Sequence, residues 1–133
     1  MRRSGVILFA HGARDARWSA PFEAVAQQVQ RQRPQSRVQL AYLEFMTPSL
    51  PEAGSALCAA GCTRIEVLPL FLGTGGHLRK DLPPMVQALR EQHPQVHWYL
   101  HAAVGEHEAV IQAMAAAAVA LLPDPASAQG DRA

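Results

Sequence analysis

Three histidines and one glutamate stand where apolar runs of this chain break off into turns. Val6-Ile7-Leu8-Phe9-Ala10 runs into His11-Gly12, and the stretch 38–43 runs into Glu44. The stretch 64–72 runs into Gly73-Thr74-Gly75-Gly76-His77, and 96–100 into His101. Neutral imidazole accepts a proton near neutral pH and binds divalent metals. Two histidines with one carboxylate suit Co²⁺, Fe²⁺ or Ni²⁺ and leave coordination positions open. His11, His77 and Glu44 are therefore candidates both for metal holding and for proton removal. His101 alternates with His97 along one strand face, where plain solvent exposure accounts for both. His93 and His107 read as loop and helix surface.

The glycines around these residues carry information of their own. Gly12 directly after His11 marks a tight turn that leaves the imidazole at a strand mouth. Gly75 and Gly76 bring bare backbone close to any ligand of His77. The loop lacks the Gly-Lys-Ser/Thr ending of a P-loop and the Gly-x-Gly-x-x-Gly of a dinucleotide fold. Arg79 and Lys80 fall in the first turn of the following helix. They offer an anion site assisted by backbone N–H groups, or simply a solvated helix start.

Positioning these residues at one rim takes a regular alternation of elements. The continuous apolar run at 6–10 is of the kind found in strands buried on both faces, and 38–43, 64–72 and 96–100 read as three further strands. Between them, helical spacing runs from Trp18 through Phe22, Val25 and Val29, and from Pro48 through Leu57 to Ala60. Thr47 is the expected N-cap of that second helix and Gly61 its stop. Further helices are expected over 78–92 and 106–122. Pro69 marks an irregularity near the end of the third strand. Strands alternating with helices imply right-handed crossovers and an α/β fold, a four-stranded parallel sheet flanked by helices in three layers. Ligands of such sheets collect beyond the carboxyl ends of the strands, where the histidines stand.

Composition sets the bounds. The 133 residues, 49% hydrophobic and 17% charged, predict one domain over 1–122 and a disordered tail over 123–133. With 12 Lys+Arg against 11 Asp+Glu, the formal charge of +1 argues against a nucleic-acid binder working by bulk electrostatics. The first apolar run is too short for a signal peptide or a membrane span, so a cytoplasmic protein without membrane association is expected. Cys58 and Cys62 do not make a disulfide framework and read as small buried apolar residues.

Three segments carry a resemblance. Residues 5–15 (GVILFAHGARD), 41–51 (AYLEFMTPSLP) and 68–83 (LPLFLGTGGHLRKDLP) resemble, in the same order, the small sirohydrochlorin chelatases. These are class II chelatases of cobalamin, sirohaem and coenzyme F430 synthesis. The resemblance implies a chelatase fold and ATP-independent insertion of Co²⁺, Fe²⁺ or Ni²⁺ into sirohydrochlorin, with no permanently bound cofactor. It implies that His11 and His77 are the paired active-site histidines and Glu44 their acidic partner. Arg14, Arg79 and Lys80 would pair with the substrate's carboxylates, beside Gly75 and Gly76. Phe45, Met46 and Leu78 would line the cleft. Short members resemble half of the longer two-domain chelatases, which implies a homodimer. Three other readings compete, one of them a structural or regulatory paralogue that kept the fold and lost turnover. A metal or tetrapyrrole carrier would use the same residues without turnover. A histidine phosphatase would need Arg directly before His11, where this chain has Ala10.

Overall fold

The computed structural model describes residues 3–73 and 75–126; Thr74 and the part of the expected tail from 127 onward lie outside them. The four apolar runs form β1 (Arg3–Ala10), β2 (Arg37–Tyr42), β3 (Cys62–Pro69) and β4 (His97–Leu100). They pair as one all-parallel sheet in the order β2-β1-β3-β4. The helices are α1 (Ala20–Gln32), α2 (Leu50–Ala59), α3 (Gly76–Gln92) and α4 (Glu108–Ala120), with short 3₁₀ turns at Ala16–Ser19 and Val104–Glu106.

The strand order explains the placement of the helices. From β1 the chain moves one way to β2, then back across β1 to β3 and β4. Right-handed crossovers therefore carry α1 to one face of the sheet and α2 and α3 to the other. On the α2–α3 face, Ile7, Phe9, Ile65, Val67 and Trp98 are buried against Leu57, Val86 and Leu89. Each such side chain contributes about 1.5–3 kcal/mol on removal from water. On the opposite face, α1 packs on β2, and Leu8 and Ala10 are buried.

Several boundaries differ from expectation, each for a local reason. Helix α2 is capped by Ser49 rather than Thr47. The Ser49 hydroxyl accepts from the Glu52 N–H, and the Glu52 carboxylate accepts from the Ser49 N–H. This reciprocal box satisfies two otherwise unpaired donors, so Pro48 falls outside the helix. Strand β3 ends at Pro69, and 70–72 lie beyond it; the Leu70 N–H still donates to the Phe9 carbonyl at 2.7 Å. Helix α3 begins at Gly76, two residues early, and carries Pro83 and Pro84 inside it. The thiols of Cys58 and Cys62 are unpaired and burial pushes both up, as suits apolar packing.

Over β3 and β4 the face shared with α1 is open. There Arg64 donates to Glu66 at 2.8 Å, His101 Nε2 lies 3.1 Å from the same carboxylate, and the Arg64 guanidinium sits 4.4 Å over the Tyr99 ring. Burial pushes the Glu66 carboxyl up, but hydrogen bonds from Arg64 and His101 outweigh it and hold it below its ordinary 4.5. A depressed folded value means that this stabilisation is complete above pH 4.5 and fades as pH falls through the folded value. Glu66→Gln should therefore flatten the acid limb of stability, by about 1 kcal/mol or less at this half-exposed pair. Thermal melts of both proteins from neutral pH down through the carboxylate range measure it. Parallel acid limbs would refute the assignment.

Candidate functional site

The strand order converts four sequence positions into one row. Glu44 follows β2, His11 follows β1, His77 comes after β3 and His101 follows β4, so His11 is flanked by Glu44 on one side and by the β3 loop on the other. The β1–β3 junction, where the chain reverses direction across the sheet, is the crevice in which ligands of open α/β sheets bind.

His11 and Glu44 are tied through the backbone. The β1–β2 ladder runs past both strand ends: the Leu43 N–H donates to the Ala10 carbonyl at 2.9 Å, and the Glu44 N–H to the His11 carbonyl at 3.0 Å. Gly12 permits this closure. It has φ of 89°, and a Cβ built there would collide with the Glu44 carbonyl oxygen. The His11 imidazole is exposed on one side, and its ring centroid lies 4.2 Å from that of the buried Phe71. An aromatic floor under an open imidazole restricts its orientation without taking its ring nitrogens.

Across the crevice, His77 lies in the first turn of α3 and is exposed. Gly75 is the N-cap and provides no side-chain cap, so the first N–H groups of α3 keep their polarity toward the rim. A Cβ at Gly73, Gly75 or Gly76 would meet nothing within 4 Å. Packing within the chain does not require these glycines; they leave bare backbone facing open space. Lys80 is exposed one turn further on. Among the described residues, no three His, Cys, Asp or Glu side chains gather closely enough to cage a metal ion. His11, Glu44 and His77 thus line the rim without forming a closed three-ligand site.

The basic residues have partners that the sequence does not disclose. Arg14 stacks its guanidinium 4.8 Å over Phe45, which is 58% exposed and has φ of 67°. Arg79 lies 3.9 Å from the Glu106 carboxylate in the 3₁₀ turn after β4. That turn is fastened by the Gly105 N–H, which donates to the Phe71 carbonyl at 3.0 Å, and a Cβ at Gly105 would collide with the Leu72 carbonyl. Arg79, Leu82, His101, Ala103 and Glu106 line a shallow depression beside the rim. Glu106 and Phe71 were not singled out by sequence reading, because each acts through a fold-dependent contact. Leu78 is partly buried and packs one side against the core. His101 shares the rim but is engaged with Glu66.

Comparison with known proteins gives this rim a context. Over 82 residues the chain is 37% identical to a protein from Saccharolobus solfataricus named sirohydrochlorin cobaltochelatase, a match spanning 62% of each chain. Over 58 residues it is 34% identical to a Priestia megaterium protein named sirohydrochlorin ferrochelatase, covering 44% of this chain and 22% of that one. The chain thus matches less than two thirds of the length of these relatives. A crystal structure from Marinobacter aquaeolei VT8, described as a CbiX protein of cobalamin (vitamin B12) biosynthesis, superposes with a TM-score of 0.78 at 32% identity. That superposition covers 88% of this chain and 95% of the other. The CbiX family model matches residues 5–120, nearly the whole chain, so the chain belongs to the CbiX family.

Proposed function

We propose that the chain is a sirohydrochlorin chelatase, inserting Co²⁺ or Fe²⁺ into the macrocycle without ATP. The observation that carries this reading is the row formed by Glu44, His11 and His77 at the β1–β3 crevice, on a family match covering both histidines and the glutamate. The relatives' names supply the substrate and both metals.

The chemistry follows from charge balance. Insertion exchanges two pyrrole N–H protons for one M²⁺, so the site must deliver a cation and remove two protons. His11 and His77, open at the rim, hold the incoming ion through imidazole nitrogens and then accept protons as the metal passes to the macrocycle. Glu44 is held beside His11 by their shared backbone bond and offsets the positive charge that builds there. An arrangement without a closed cage is an advantage here, because four tight ligands would retain the metal. The metal is substrate, and no resident cofactor takes part. Peripheral carboxylates of the macrocycle meet Arg14, Arg79 and Lys80. Arg79 exchanges its 3.9 Å contact with Glu106 for a substrate carboxylate.

The test is anaerobic absorbance spectroscopy of sirohydrochlorin with Co²⁺ or Fe²⁺, with and without the protein. The expected result is a catalytic rise in insertion rate with multiple turnovers per chain. Binding of pigment or metal with insertion left at the uncatalysed rate would identify a carrier and overturn the reading.

A further inference from the structure

Phe45 is an aromatic side chain at a point where the backbone favours glycine. Of the four phenylalanines it is the exposed one: Phe9 and Phe71 are buried, Phe22 is partly buried, and Phe45 is 58% exposed. Its φ is 67°, and no other non-glycine among the described residues has a left-handed backbone. The Met46 N–H donates to the Glu44 carbonyl at 2.8 Å across it. Phe45 is therefore the central residue of a γ-turn of the rare, strained kind. A bulky side chain in that conformation is an outlier, whereas glycine adopts it freely.

Packing does not account for the ring. Phe45 has no place in the hydrophobic core, and the ring contact it makes is with a cation. The Arg14 guanidinium, from the loop after β1, lies 4.8 Å over it. The turn itself does not need the ring either, since a glycine would close the same Met46–Glu44 bond without strain. Backbone strain that serves no packing collects where ligands bind.

The position of the ring selects the ligand. The turn hangs directly on Glu44, whose N–H donates to the His11 carbonyl. Phe45 thus stands at the rim, about one strand spacing of 4.8 Å from the line of β1. An exposed aromatic ring with a guanidinium over it is a stacking platform. Flat conjugated systems stack face to face and offset on such a ring, and a flat ligand bearing carboxylates gains further from the neighbouring guanidinium.

We propose that Phe45 carries one ring of the tetrapyrrole, with Arg14 stacked behind it, so that the centre of the macrocycle extends toward β1 and over His11. The inference deepens the chelatase reading and rests on it for the identity of the substrate. Phe45 takes no proton and holds no metal; it binds and orients. Its contribution is equal before and during metal insertion, so its loss falls on KM and not on kcat.

Three variants separate the ring from the turn. Phe45→Gly keeps the turn, relieves its strain and removes the ring; Phe45→Ala removes the ring and keeps the strain; Phe45→Tyr keeps the ring. Initial rates of Co²⁺ insertion, and titration of metal-free sirohydrochlorin followed by its absorbance, read the effect. The glycine and alanine variants should both raise KM and weaken pigment binding by about 10-fold or more, with kcat at saturating pigment within about twofold of wild type. Phe45→Tyr should restore pigment affinity to within about threefold of wild type. Phe45→Gly should melt about 3–5 °C above Phe45→Ala, which places the strain at this residue. A glycine variant with wild-type KM and pigment affinity would show that the turn matters and the ring does not, and would overturn the proposal. So would a tyrosine variant as weak as the alanine one, or a loss confined to kcat. The two readings fail separately. A wild type that binds pigment through Phe45 yet leaves insertion at the uncatalysed rate supports the platform and defeats the chelatase. A wild type that inserts metal while the glycine and alanine variants keep its KM does the reverse, and one that binds no pigment defeats both.

Discussion

Replacing His11 with alanine is expected to slow Co²⁺ insertion into sirohydrochlorin by about 100-fold or more, and His77→Ala to do the same. The magnitude follows from the role. A positioned acid–base group contributes about 10²–10⁴-fold, and each substitution also removes one imidazole from the metal's approach. Both rings are exposed, so truncation should leave the melting temperature within a few degrees of wild type. His11 will cost slightly more through its 4.2 Å contact with Phe71. Groups that serve one transfer lose it together, so the double variant should be only modestly slower than either single one. Initial rates under anaerobic conditions, followed by the loss of metal-free pigment, measure all three. If both single variants keep wild-type rates, the mechanism is wrong even with the fold intact.

The same residues show what a sequence can carry. His11 and Glu44 were legible because each stands next to a buried strand, where a polar side chain is out of place unless it faces a rim. All four strands were legible as short, largely apolar stretches between helical ones, and only β1, buried from Ile7 to Ala10, reads as an unbroken apolar run. The row they form was not, because chain order does not say that β1 lies between β2 and β3. The Arg79–Glu106 contact was equally hidden; it spans 27 positions and exists because a 3₁₀ turn folds back under Leu72. Thr47 lost the capping position to Ser49 because only Ser49 has a glutamate three residues on to complete the box. Helix α4 was read as one more flanking helix. Its composition was visible, but lacking a polar face it gave no direction, and the structure leaves it uncovered.

Gly12 and Gly76 look equivalent in the sequence, each beside a candidate histidine, yet their expected sensitivities differ sharply. At Gly12 an alanine must hold φ near 89° and push its Cβ against the Glu44 carbonyl oxygen. Left-handed backbone alone costs about 1–2 kcal/mol for a non-glycine residue. Relief of the collision must also stretch the 3.0 Å bond from the Glu44 N–H to the His11 carbonyl. Gly12→Ala should therefore lose about 2–4 kcal/mol, lowering the melting temperature by roughly 8–15 °C for a chain of this size. At Gly76 a Cβ meets nothing within 4 Å, and alanine is the better helix former, so that substitution should shift the midpoint by only about 3 °C or less. Circular dichroism melts of the two variants decide the matter. Insertion rates measured well below both midpoints then separate stability from geometry. In Gly12→Ala the folded fraction should still be slow, because Glu44 no longer sits in register beside His11. If Gly12→Ala melted and turned over like wild type, the strand-end closure would not be what holds the carboxylate beside the imidazole.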